Sequence, residues 1–176
     1  FEHPKFQKYV FNENKGPYGT RAKAIELSKT EWYYQLDGDD LLPKDTIKQV
    51  IETIKTNPEA EFVYGNCEYF SKNSFQIKTP IKDSEALCFG PLFNTQSPIK
   101  RSLYNKLGGY CDEFYIKADW DFWISVFESG TIGAYIEDTI YRRRHRKNNV
   151  GNLYSHLRPD IVRKIIARHP KYFSIN

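Results

Sequence analysis

At 176 residues, with 40% hydrophobic and 16% aromatic side chains, the chain is long enough for one substantial core and too apolar to stay disordered. Its net charge of +4 is too mild to argue by itself for nucleic acid or an anionic membrane. The three cysteines, Cys67, Cys88 and Cys111, are widely spaced with no C-x-x-C pair, which argues for reduced thiols in a cytosolic setting and against a disulfide framework or zinc site. No apolar run reaches membrane-spanning length, and nothing reads as a signal peptide; peripheral association with the cytoplasmic membrane face is compatible with this. The chain opens on Phe1-Glu2-His3-Pro4 and holds no methionine, so it reads as part of a longer product.

In chain order, Phe6 to Phe11 reads as a short strand by its Tyr, Val and Phe content. A turn-rich loop over residues 12–19 follows, then a helix from Thr20, with Thr20 as its N-cap and Arg21 in its first turn. A cation there opposes the helix dipole, so Arg21 is either a solvated surface residue or a contact to an anionic ligand. Glu31 to Leu36 is the next strand. An amphipathic helix from Pro43 to Thr56 carries Ile47, Val50, Ile51 and Ile54 on one face. Ala60 to Phe70 is a strand with Gly65 marking a bulge, and Phe75 to Thr79 its hairpin partner. Alternating strands and helices predict a largely parallel α/β sheet.

Pro80 to Ser97 has weak periodicity and reads as a functional loop. Ser102 to Leu107 is a short helix closed by Gly108-Gly109. Ala118 to Phe127 is a helix whose first turn holds Asp119 and Asp121, two residues apart and therefore pointing in different directions. Ile132 to Tyr141 is a strand running into the basic stretch Arg142 to Lys147, and Leu153 to Arg168 is a final helix interrupted near Pro159. The whole of 1–176 forms one domain, with 153–176 its C-terminal helix and tail.

The stretch with chemistry in it is Trp32-Tyr33-Tyr34-Gln35-Leu36-Asp37-Gly38-Asp39-Asp40, an aromatic run ending in three carboxylates around one glycine. Like charges so close repel unless something positive sits among them. A hard cation, Mn²⁺ or Mg²⁺, with oxygen ligands and room for water or phosphate answers that, and the carboxyl end of a strand is where open α/β sheets place ligands. Gly38 is expected to relieve crowding and let the backbone turn sharply. An acidic turn ahead of a helix explains one such acid and leaves the others unexplained.

Taken together, Asn14-Lys15-Gly16, Thr20-Arg21-Ala22 and Leu36-Asp37-Gly38-Asp39-Asp40 with Pro43 resemble the family 2 glycosyltransferases of GT-A fold. Downstream, Leu107-Gly108-Gly109-Tyr110-Cys111-Asp112-Glu113 is similar to that family's G-G-F-D-E segment, Ala118-Asp119-Trp120-Asp121-Phe122-Trp123 to its E-D-W-D-x-W segment, and Tyr141-Arg142 with His145 and Asn148 to its tail. The resemblance implies a three-layer α/β/α, Rossmann-like GT-A mixed sheet that starts after the family's opening strands, and so lacks part of the donor pocket. It implies Asp39 as metal ligand, Asp37 as its partner on the donor's ribose or in the metal shell, and His145 as a late metal or diphosphate ligand. Gly16, Arg21 and Gly38 join Asp37 and Asp39 around the nucleotide-sugar, and Asp119 is the general base. Ala118 stands where the family has a second acid.

Such an enzyme moves a sugar from a nucleotide-sugar, a UDP-sugar by expectation, to a saccharide or lipid-linked acceptor in cell-surface polysaccharide or glycoconjugate synthesis, by single displacement with inversion. Trp120 and Asp121, beside the base, are the acceptor-contact candidates, with Trp123 in the core and Trp120 at the rim. The competing readings are a non-catalytic remnant, or a module binding a polyanion or glycan through residues 142–147; recognition of nucleic acid is not expected.

Overall fold

The computed structural model describes residues 5–70, 75–77, 96–146 and 150–174. Helix α1 (Gly16–Leu27) leads to strand β1 (Trp32–Tyr33), helix α2 (Thr46–Thr56), and strands β2 (Phe62–Phe70), β3 (Phe75–Ile77) and β4 (Ile99–Lys100). Helices α3 (Arg101–Lys106) and α4 (Ala118–Glu128), strand β5 (Gly133–Arg144), and helices α5 (Val150–Leu153), α6 (Arg158–Arg168) and α7 (Pro170–Phe173) complete it.

The sheet is mixed and mostly antiparallel. β5 runs parallel along β2 from Phe62 to Phe70, while β4 and β3 pair antiparallel with β2, and β1 adds antiparallel to β4. The expected largely parallel sheet is therefore corrected: the hairpin into β3 and the return through β4 reverse direction, and among the described strands β2 and β5 are the one parallel pair. Alternate residues of β2 face opposite sides, as the pleat requires. Phe62 and Tyr64 join one core with Leu103, Phe122, Trp123 and Ile165, and Val63 and Cys67 join a second with Val50, Ile136 and Tyr141. Helices thus cover both faces, giving the three layers. Of the α2 stripe, Val50 is buried, whereas Ile47 and Ile51 remain about half exposed at 48% and 47%.

Two local expectations are also corrected. Residues 6–11 form no strand, and Phe6, Tyr9 and Val10 are exposed. Strand-forming residues need a neighbouring edge to pair with, and no described strand offers one there. Helix α1 begins four residues before Thr20, since Pro17 is suited to a first turn; the Thr20 hydroxyl instead donates back to the Gly16 carbonyl. Arg21 consequently lies in the second turn. The Gly108-Gly109 exit holds, both glycines having positive φ (82° and 70°). The helical break near Pro159 also holds: a 3₁₀ turn, Ser155–Leu157, precedes α6. Most of the irregular stretch 80–97 lies outside the described residues; its last two, Gln96 and Ser97, are buried.

Candidate active site

A cleft of about 880 Å³ opens between α1 and the segment from Trp32 to Gly38. Asn14, Gly16, Arg21, Gln35, Asp37 and Tyr115 are among its walls. Gly16 is required here: its φ is +68°, its N–H donates to the Asn14 side chain at 2.8 Å, and a β-carbon would stand 2.7 Å from the Tyr115 ring. The Oη of Tyr33 and the Nε2 of Gln35 are buried without a hydrogen-bond partner among the described residues. Both residues line the cleft.

The acidic cluster is held by partners from three distant segments. Arg21 grips Asp37 in a forked contact, Nη2 to Oδ2 at 2.6 Å and to Oδ1 at 2.9 Å, with Nε at 3.3 Å from Oδ1. Such geometry is stronger than a point contact. Gln96 donates to both Asp37 (3.2 Å) and Asp40 (3.0 Å). The end of β5 supplies the rest. Leu41 and Arg142 exchange backbone hydrogen bonds at 2.9 and 2.8 Å, which sets the basic stretch against the cluster. The Arg144 N–H then donates to Asp40 at 2.8 Å, its guanidinium to the Asp39 carbonyl at 3.0 Å, and Arg146 approaches the Asp39 carboxylate at 3.3 Å. Burial pushes the Asp40 carboxyl up from its usual range, the Arg144 N–H draws it back, and Asp37 and Asp39 add repulsion. Asp40 therefore serves to tie the loop to β5.

Gly38 departs from expectation. Its φ is not positive and a β-carbon there would meet nothing within 4 Å, so neither a sharp turn nor crowding requires it. His145 is exposed, its backbone N–H bonded to the Phe70 carbonyl. It lies between Arg144 and Arg146, both of which reach Asp39, and among the described residues it is not joined with Asp37 and Asp39 in a metal-ligating group. Among the described residues no three His, Cys, Asp or Glu side chains converge as a ready-made metal cage. The donor set still suits Mn²⁺ or Mg²⁺, which bind through one or two carboxylates and take their other ligands from water and phosphates. Asp39, half buried with a single long contact to a half-exposed Arg146, fits that role better than Asp37, which is committed to Arg21.

The second acid comes from α4. Asp119 stands in its first turn, where Oδ1 accepts from the Tyr18 hydroxyl at 2.7 Å and from the Trp120 N–H at 3.0 Å. Lys117, the residue before the helix, holds a positive φ of 63°, a strained conformation for a non-glycine that recurs at functional sites. Burial, then the neighbouring carboxylate, push the Tyr18 hydroxyl well above the usual phenol range. Tyr18 also lies under Arg21, whose guanidinium carbon is 5.1 Å from its ring centre. Asp119, Tyr18, Arg21 and Asp37 are thus one contiguous chain of contacts joining residues 101 positions apart.

The expected acceptor contacts at Trp120 and Asp121 are corrected. Asp121 is 1% exposed, bound by Arg168 at 2.9 Å and His169 at 3.1 Å. Trp120, at 4% exposed, packs against Phe173 and beneath Lys117. Trp123 is core, as expected. Within the basic stretch Arg142 pairs with Glu68 at 2.9 Å and Arg144 and Arg146 contact the acidic loop, while residues 143–146 stay exposed. Lys147 lies outside the described residues. Tyr18 and Gln96 were not legible as site residues, since a tyrosine in a turn and a glutamine near the end of an unpatterned loop carry no spacing signal.

Known proteins resemble this chain in sequence and in fold. The model of the family described as Glycosyl transferase family 2 matches residues 2–122. An uncharacterised glycosyltransferase of Haemophilus influenzae is 24% identical over 130 residues, 69% of this chain and 44% of that protein. S. aureus TarS (residues 1–349) superposes with a TM-score of 0.64 in its complex with UDP-GlcNAc and 0.62 in its complex with UDP. Both are 13% identical, covering 80% and 89% of this chain and 42% and 47% of TarS. The chain therefore spans under half the length of these relatives, and the likeness to TarS carries the GT-A fold. With the family's model covering more than half of its residues, the chain belongs to glycosyl transferase family 2.

Proposed function

We propose that this chain forms the catalytic part of a metal-dependent, inverting glycosyltransferase that passes a sugar from a UDP-sugar to a saccharide or lipid-linked acceptor. The observation that carries the reading is the contact chain from Asp119 to the Asp37–Asp40 loop at the mouth of the cleft. It supports one acid on the acceptor side and a cluster on the donor side, held in fixed relation. Asp119 takes the acceptor's hydroxyl proton as that oxygen bonds to the anomeric carbon. The bond from that carbon to the diphosphate breaks on the opposite face, and its electron pair leaves with the diphosphate. Asp39, with Asp37 beside it, would hold a Mn²⁺ or Mg²⁺ ion, whose charge would neutralise that leaving group. The UDP and UDP-GlcNAc complexes of TarS support the choice of nucleotide. Among the described residues no helix is long and apolar enough to cross a membrane, which is compatible with work at the cytoplasmic membrane face in polysaccharide synthesis.

Calorimetric titration of UDP in the presence of Mn²⁺ tests the donor half. Binding is expected to be lost with excess EDTA and weakened at least about tenfold by Asp39→Ala, the loss of one charge-assisted contact. Binding of equal strength with EDTA present removes the metal from the reading.

A further inference from the structure

We infer that Tyr18 is a positioning residue for the Asp119 base, and that its two ends couple the acceptor side of the site to the donor side; the inference rests on the proposed role of Asp119. The hydroxyl donates to Asp119 Oδ1 at 2.7 Å, and that same oxygen accepts the Trp120 N–H at 3.0 Å. Two donors on Oδ1 fix the plane of the carboxylate and leave Oδ2 as the atom to take a proton. The hydroxyl cannot act as an acid or base here, because burial and the adjacent carboxylate hold its proton far above neutrality. It is a permanent donor to the Asp119 carboxylate.

The ring has a separate task. Its face carries the Arg21 guanidinium at 5.1 Å, and Arg21 in turn forks onto Asp37. Tyr110 packs against the ring from another side, with centroids 5.2 Å apart, and its own hydroxyl donates to Gln35 at 3.3 Å. Arg21 and Tyr110 are the other titratable groups facing Tyr18 besides Asp119. The Tyr18 hydroxyl thus governs the base, while its ring braces the arginine that holds the donor-side carboxylate. Removing the hydroxyl and removing the ring are separable perturbations.

The test uses the whole chain with Tyr18→Phe, which keeps the ring, and Tyr18→Leu, which loses both. The Asp119 carboxyl is followed by its ¹³C resonance at neutral pH, identified by its absence in Asp119→Asn. Turnover of UDP-GlcNAc with Mn²⁺, water serving as acceptor, is measured for kcat and KM. In Tyr18→Phe the Asp119 resonance is expected to shift and kcat to fall about tenfold, the equivalent of one hydrogen bond to a charged group, with KM for the donor unchanged. In Tyr18→Leu, KM for the donor is also expected to rise. An Asp119 resonance that does not move in Tyr18→Phe overturns the inference and leaves the base assignment standing. A resonance that shifts while kcat stays unchanged shows that Asp119 is not the base, and overturns both. A KM for the donor that is the same in Tyr18→Leu as in Tyr18→Phe overturns the coupling to the donor side.

Discussion

Asp119 and Asp121 sit two residues apart in the first turn of one helix, and their surroundings give them unrelated work. Asp119 is half buried and faces Tyr18. Asp121 is sealed inside, where Arg168, His169 and the helix start answer its charge. Asp119→Asn should therefore lower turnover of UDP-GlcNAc by about 10²–10⁴-fold, the usual contribution of a general base, with little change in melting temperature. Asp121→Asn should instead cost about 1–3 kcal/mol of stability by leaving the buried His169 short of a partner. Parallel kinetics and urea unfolding of the two variants would show the split, and a stability loss confined to Asp119→Asn would reverse the assignment. In the sequence both were acids at a helix N-terminus pointing in different directions. Which one faced inward was not legible, because the residues that bury Asp121 lie 47 and 48 positions further on. The acid cluster was legible, since its repulsion is local; its neutralisation by Arg21, Gln96 and Arg146 was not.

At the scale of elements, the irregularity between β2 and β5 decides where the basic stretch ends up. The register moves from Gly65↔Ile136 to Asn66↔Thr139 and then Cys67↔Tyr141, so the extra residues belong to β5, and Gly65 is the residue they fold over. A β-carbon on Gly65 would stand 2.8 Å from the Ile136 carbonyl oxygen and 2.8 Å from Ile140. Asn66 takes up the strain in the ladder, its amide donating to the Glu137 carbonyl and its oxygen accepting from Tyr135 at 3.0 Å. Beyond the bulge, β5 delivers Arg142 to Leu41 and Arg144 to Asp40. Gly65→Ala should destabilise the chain by about 1–3 kcal/mol, the cost of forcing volume against backbone, and should weaken Mn²⁺-dependent UDP binding through the displaced acidic loop. Urea denaturation with a binding titration reads both; wild-type stability in this variant would mean the bulge is not rigid. The sequence marked the bulge because a glycine interrupts a strand pattern, and it marked α2, α4 and the double-glycine exit because their signals lie within the element. It misjudged strand direction and the strand at residues 6–11 because pairing depends on which edge is within reach.

Over the whole molecule, the C-terminal helices close one core by packing against α4. Ile161 and Ile165 of α6 and Tyr172 of α7 join Trp120 and Trp123 there. This packing has an ionic centre. His169 is 4% exposed, with Nδ1 2.7 Å from Glu128 and Nε2 3.1 Å from Asp121, while Arg168 shares Asp121. Burial opposes the imidazolium, but the two carboxylates outweigh it and raise the His169 pKa above its ordinary 6.5. A group whose pKa is higher folded than unfolded binds its proton more tightly in the folded state, so the proton stabilises the fold. That contribution is complete below about pH 6.5, the unfolded value, and fades as pH rises through the raised folded value. His169→Gln keeps some hydrogen bonding but not the charge. The stability gap between wild type and this variant should therefore be widest at acidic pH, about 1–3 kcal/mol for hydrogen bonds to charged partners, and should narrow toward alkaline pH. Melting curves of both proteins at several pH values decide it: a gap that is constant with pH would mean that His169 is held neutral, and that Arg168 alone balances Asp121.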